Sequence, residues 1–211
     1  MWKKSRCSAP LSEPQVISAK AQFRRQCRAV RDEISVEQME RDSLAIHEHV
    51  LGLPELQTAQ SVFVYASAGS EVQTHKLIED LLSQGKTIGV PRITDPKAGR
   101  MQATVIHSLQ DLVPDPHLPK LLTPSTDEPL EGTPDVTLVP GLAFSPETGA
   151  RLGMGGGYYD RYFDAAGNDA GFRIGLAFDE QLLNDIPVEV HDHPVHAIAT
   201  PQRLYRISSE Y

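Results

Sequence analysis

Ser61-Val-Phe-Val-Tyr-Ala66, the run from Thr74 to Gln84, and Thr87-Ile-Gly-Val-Pro91 together decide the fold. The outer two segments are short, apolar and rich in β-branched residues, which predicts buried strands. The run between them predicts a helix, with Gly85 as its stop. A strand–helix–strand unit implies parallel strands covered by helices. Further along, Ala103-Thr-Val-Ile-His107, Val136-Thr-Leu-Val139, Phe172 to Phe178 and Ala197 to Thr200 predict strands, and Gly157 to Ala165 a helix. The Pro-rich stretch from Val113 to Pro134 predicts a long loop, lid-like or merely a variable surface. Towards the N-terminus, Ser35 and Gln38 form a capping-box pattern that opens a helix running to about Gly52. The expectation is an α/β fold: one domain over residues 14–211, with a mostly parallel central sheet flanked by helices. Residues 1–13 are expected to form a flexible extension.

Composition narrows the function classes. Of 211 residues 40% are hydrophobic, enough for a real core, and a net charge of −8 argues against a nucleic-acid binder. Cys7 and Cys27 are too few for a disulfide scaffold or a structural zinc site, so a reducing compartment is expected. The opening Met-Trp-Lys-Lys-Ser-Arg-Cys lacks the apolar stretch of a secretory signal, and no run approaches a membrane span. A cytoplasmic protein is expected, monomeric or a weak homodimer, with no membrane partner.

Charge is unevenly spread. Residues 1–31 carry eight Lys/Arg against one acid, Glu13, so the rest of the chain carries −15. Helical periodicity opens near Pro14, and Val16, Ala19, Phe23, Cys27, Val30 and Ile34 make one apolar stripe. Lys20, Arg24, Arg28 and Arg31 form a basic row along its edge. Such a helix packs on the body while holding cations beside the contact. The plainer alternative is a solvated basic face. Cys27, on the apolar stripe, is expected to be packed, not reactive.

Arg151-Leu-Gly-Met-Gly-Gly-Gly-Tyr-Tyr-Asp160 is the strongest local signal. Four glycines in five positions let the backbone adopt positive φ and aim N–H groups at oxyanions. A helix starting at Gly157 would add its positive end. The run is not a Walker A loop, because no Gly-Lys-Ser/Thr follows. Nor is it a dinucleotide fingerprint, because Tyr158 stands where the third glycine would. Arg151 and Asp160 bracket the glycines with an anion-binding group and a potential magnesium ligand. A tight turn without ligand is the competing reading.

Asp135-Val-Thr-Leu-Val-Pro-Gly-Leu-Ala-Phe144, followed by the glycine run, resembles the 5-formyltetrahydrofolate cyclo-ligase family, also called methenyltetrahydrofolate synthetases. Supporting matches are Lys20-x-x-x-Arg24, Ser70-Glu71-Val72-x-Thr74, Pro91-Arg92 and Pro187-x-x-x-His191-Asp192, spread over Ala19 to Thr200. The resemblance implies an ATP- and Mg²⁺-dependent closure of 5-formyltetrahydrofolate to the 5,10-methenyl form through a phosphorylated formyl group. It implies that Lys20 and Arg24 meet the nucleotide's phosphates. Arg151, Gly153, Met154, Gly155, Gly156, Gly157, Tyr158 and Tyr159 would line the ATP site. Asp160 and Asp192 would hold Mg²⁺, and Ala66, Glu71 and Tyr158 would contact the folate. Lys20, Arg24, Arg151 and Tyr158 are the implied catalytic set.

Two departures from the family pattern bear on this. Lys120-Leu-Leu-Thr-Pro124 stands where relatives carry a glycine-containing segment ending in Glu-Pro that helps form the folate pocket. Met154 and Gly156 stand where some relatives carry basic residues, which shifts phosphate neutralisation onto Lys20, Arg24, Arg151 and Mg²⁺. Two other functions share these features: a non-catalytic nucleotide- or folate-binding protein, and an ATP-dependent enzyme acting on a different small heterocycle. His191-Asp-His193 is a weak transition-metal pattern, and His47-Glu-His49 reads as a solvated helix face.

Overall fold

The strand–helix–strand unit lies within a seven-stranded sheet, towards one edge. The computed structural model describes residues 19–167 and 171–208. The expected extension over residues 1–13, the helix start at Pro14 and Val16 lie outside them. β1 (Ser61–Val64) runs through α4 (His75–Ser83) into β2 (Thr87–Asp95), which lies parallel beside it. On its other side β1 pairs in parallel with β6 (Val136–Val139), followed outward by β9 (Phe172–Leu176) and β10 (Ala197–Ala199), also parallel. Antiparallel strands β3 (Arg100–Ile106) and β11 (Leu204–Arg206) close the two edges. The mostly parallel sheet expected from the sequence is therefore present.

Both faces of the sheet are covered, which is why its strands read as continuous apolar runs. Val62 and Val64 point into one core with Ile46 and Val50 of α2 (Val36–Leu51) and with Leu77, Ile78 and Leu81 of α4. Phe63, between them, points to the other face and meets Tyr159 and Tyr162 of α5 (Tyr158–Ala166) at ring-centroid distances of 5.9 and 4.8 Å. Ser35 caps α2 through its side chain, accepting from Gln38 N at 3.2 Å.

Tertiary contacts revise several expectations. The stretch from Val113 to Pro134 is not a plain loop. It holds an antiparallel hairpin of β4 (Leu112–Pro114) and β5 (Leu122–Pro124), which packs on β2. The short helix α3 (Pro54–Thr58) was not signalled by periodicity; nor was the pair β7 (Ala143–Phe144) and β8 (Arg151–Leu152). His47 and His49 are not a solvated pair. His47 is buried against Asp80 at 3.3 Å, and His49 Nδ1 lies 2.8 Å from Thr200 O.

α1 (Ala19–Asp32) turns the seam between its two rows inward. Cys27 packs with Leu142, Ala143 and Leu152, and burial pushes its thiol pKa up, so it is a core group. Val30, expected on the stripe, is 45% exposed, whereas Arg31 is buried and donates to Ser70 Oγ and Gly141 O. Lys20, Arg24 and Arg31 thus face the body of the protein, while Arg28 stays exposed.

Candidate functional site

The chain leaves β1 towards β2 on one side and later leaves β6 towards β9 on the other. A crevice therefore opens past the carboxyl ends of β1 and β6, the place where doubly wound sheets bind ligands. Tyr65 and Ala66, just beyond β1, and Pro140, just beyond β6, line a cavity of about 500 Å³ there. Every residue that the family resemblance assigns to ATP, Mg²⁺ or folate borders this cavity. Lys20 and Arg24 come from α1, and Glu71 from the loop after β1. Arg151 to Asp160 come from β8, the glycine loop and the first turn of α5, and Asp192 from the loop before β10.

One pole is charged. Lys20 Nζ lies 2.9 Å from Asp192 and 3.2 Å from Glu189. Arg24 Nε donates to Gly153 O at 3.1 Å, and Arg28 reaches Met154 Sδ at 3.1 Å, so α1 straps down the glycine loop. Gly157 caps α5 at φ +64, a left-handed conformation that a side chain would strain. The loop therefore delivers the first turn of α5, with its unpaired N–H groups, to the cavity wall.

Arg151 and Asp160 form a nearly buried ion pair at 2.6 Å, and the Arg151 guanidinium also stands 5.7 Å from the Tyr159 ring centre. Asp160 thus already has a cation of its own. The donor cluster around Asp192 is instead Glu189 and His191, whose ligand atoms lie within 4.8 Å of one another. His193 takes no part in it and pairs with Asp164 at 2.7 Å.

The other pole is apolar. Pro91 and Ile93 of β2, Met101 of β3, and Leu118, Leu121 and Leu122 of the β4–β5 hairpin form its wall. Lys120-Leu-Leu-Thr-Pro124 thus belongs to the cavity wall through Leu121 and Leu122. Glu71 borders the same cavity. Burial raises its carboxyl pKa; the hydrogen bond from Ala68 N at 3.0 Å and the charges of Arg31 and Arg28 oppose that only in part. Tyr159 Oη is buried without a hydrogen-bond partner among the described residues, an orphan donor on the cavity wall.

Glu189, Arg161 and Leu118 also line the site and were not singled out from the sequence. Glu189 lies within the Pro187-to-Asp192 match, a signal in plain view. Leu118 gave none, because it lies in the turn between two short strands and follows no period.

The fold and this crevice define an α/β ligand-binding protein with one cationic and one apolar pole. Residues 16–201 match the 5-formyltetrahydrofolate cyclo-ligase family. The chain belongs to that family, and with it to the ATP-dependent ligases. Among its relatives is the 5-formyltetrahydrofolate cyclo-ligase of Escherichia coli K12, 36% identical over 155 residues, covering 72% of this chain and 84% of the relative. The mouse protein of the same name is 29% identical over 195 residues, covering 87% and 94%. A solved structure of Aquifex aeolicus 5,10-methenyltetrahydrofolate synthetase superposes with a TM-score of 0.79 at 25% identity, covering 92% of this chain and 95% of its own. A Mycoplasma pneumoniae 5,10-methenyltetrahydrofolate synthetase, at 19% identity and TM-score 0.66, shares the fold.

Proposed function

We propose that this protein closes 5-formyltetrahydrofolate to 5,10-methenyltetrahydrofolate using ATP, in the cavity past β1 and β6. The γ-phosphoryl group passes to the formyl oxygen and ADP leaves. The second folate nitrogen then attacks the activated carbon, its proton is lost, and phosphate departs. Such a sequence asks the protein to position reactants and stabilise moving charge far more than to supply a nucleophile. The single observation that carries this assignment is one cavity with Lys20, Arg24 and the glycine loop at one pole and an apolar wall at the other.

Lys20, Arg24 and the glycine-loop N–H groups serve the phosphates. Glu71 and Tyr159 offer a carboxyl and an orphan hydroxyl to the polar edge of a heterocycle, and Leu118, Leu121 and Leu122 its apolar cover. Asp160 and Asp192 are hard oxygen donors on the cavity wall and would hold Mg²⁺, which bound there neutralises phosphate charge. Both carboxylates are paired in the free protein, with Arg151 and Lys20 respectively, so the metal would replace cations already in place. Among the described residues no helix is long and apolar enough to cross a membrane, and a cytoplasmic location suits the sparse cysteines.

Purified protein with Mg-ATP and 5-formyltetrahydrofolate should develop the methenyl absorbance with stoichiometric ADP. Folded protein that forms neither product would end this assignment.

A further inference from the structure

Arg161 lies in the first full turn of α5, and its guanidinium is held between two separate backbone segments. Nε donates to Gly99 O at 2.9 Å, in the turn between β2 and β3, and Nη2 donates to Gly156 O in the glycine loop. Two glycines leave the slot that it fills. Gly99 sits at φ +61, where a Cβ would run into the guanidinium; a Cβ on Gly157 would stand 2.8 Å from Nη1. At the other end of the loop the Gly153 carbonyl accepts from Arg24 Nε.

An anion-binding loop works by presenting N–H groups, and a carbonyl turned towards the ligand would repel it. The peptide unit is planar and trans, so its C=O and the following N–H point in opposite directions. Drawing the Gly156 carbonyl to Arg161 aims the Gly157 N–H the other way.

We propose that Arg161 is a positioning residue for the nucleotide: its fork between Gly156 and Gly99 holds the glycine loop in its phosphate-receiving form, a role that rests on assigning this cavity to ATP. Through Gly99 the fork also anchors the loop to the β2–β3 hairpin, whose Ile93 and Met101 wall the apolar pole. The fork, not the charge alone, is what the geometry requires, because a lysine ammonium lacks the planar arrangement that spans both carbonyls.

The test is calorimetric titration with Mg-ADP, which needs no turnover, alongside steady-state assays. Arg161→Ala and Arg161→Lys should each weaken Mg-ADP binding about tenfold or more, and KM for ATP should rise by a similar factor with kcat within about threefold. Gly99→Ala keeps the arginine but evicts its guanidinium, and should show the same loss even if an Arg161 variant fails to fold. Unchanged Mg-ADP affinity in Arg161→Ala, or full recovery in Arg161→Lys, overturns the proposal. Wild-type protein that binds Mg-ADP yet makes no methenyl product ends the cyclo-ligase assignment and leaves Arg161 to be judged on the dissociation constants. Wild-type protein that binds no Mg-ADP overturns both.

Discussion

Lys20 Nζ hydrogen-bonds Asp192 Oδ2 at 2.9 Å, joining α1 to a loop 172 residues away. The contact neutralises two groups that catalysis is expected to use separately, the cation on phosphate and the carboxylate on metal. Burial alone would raise the Asp192 pKa, but hydrogen bonds from Lys20 and Glu189 N, with the Lys20 charge, hold it below the usual range. Asp192 is therefore ionised and ready for a cation throughout the neutral range.

Lys20→Met is expected to lower kcat/KM for ATP by about 10- to 100-fold, the loss of one charge-assisted hydrogen bond. Asp192→Asn should instead raise the Mg²⁺ concentration needed for half-maximal rate. Steady-state titrations of ATP and Mg²⁺ separate the two. Identical ATP and Mg²⁺ dependence in both variants and wild type would show the pair to be only a strap.

Arg151 and Asp160 form the least exposed ion pair in the site, with side-chain exposures of 5% and 14%. Arg151→Met leaves a carboxylate stranded, and is expected to cost about 3 kcal/mol of stability. The double variant Arg151→Met/Asp160→Asn should recover most of that loss while remaining inactive. Urea unfolding of the three proteins is the check, and a double variant no more stable than the single one would contradict the pairing.

Glu71 holds its carboxyl at a cost. Burial, the largest influence, raises its pKa, so folding favours the protonated form. The stabilisation from this group is complete below the unfolded value of 4.5 and is lost as pH rises through the higher folded value. Glu71→Gln keeps an acceptor for Ala68 N and removes the buried charge. It should unfold at a higher temperature than wild type at pH 7, with the gap closing towards pH 4, while kcat/KM for the folate falls by about 100-fold. Thermal unfolding across pH, set beside the assay, would expose a purely structural role if activity were retained.

His47 should govern part of the acid sensitivity. Burial between α2 and α4 lowers its pKa, and the nearby Asp80 charge only partly opposes this. The folded state thus favours the neutral ring. Its contribution is present above the unfolded value of 6.5 and is lost as pH falls through the lower folded value. His47→Gln should flatten the decline in stability between pH 7 and pH 5, measured by urea midpoints. His196, also lowered by burial and by Arg173, leaves a residual slope.

The sequence by itself determined the sheet's strand–helix–strand unit and the glycine loop, because both are local. Apolar runs flanking a periodic helix define β1, α4 and β2, and four glycines beside Arg151 and Asp160 define a tight turn whose backbone a ligand can approach closely. Family resemblance supplied the distant members, Lys20, Arg24, Glu71 and Asp192. Only the tertiary structure decided which charges neutralise one another. Asp160 meets Arg151, and Lys20 meets Asp192 and Glu189. Tertiary packing also decided which polar residues are buried. Arg31 and His47 look like surface residues by type, yet both are buried, Arg31 donating to Gly141 O and His47 lying beside Asp80, which no periodicity records. The β4–β5 hairpin became visible for the same reason: three-residue strands carry no pattern of their own and are held by β2 beneath them. Arg161 gains its meaning only from Gly99, 62 residues earlier, because two remote backbone turns must meet before one guanidinium can bridge them.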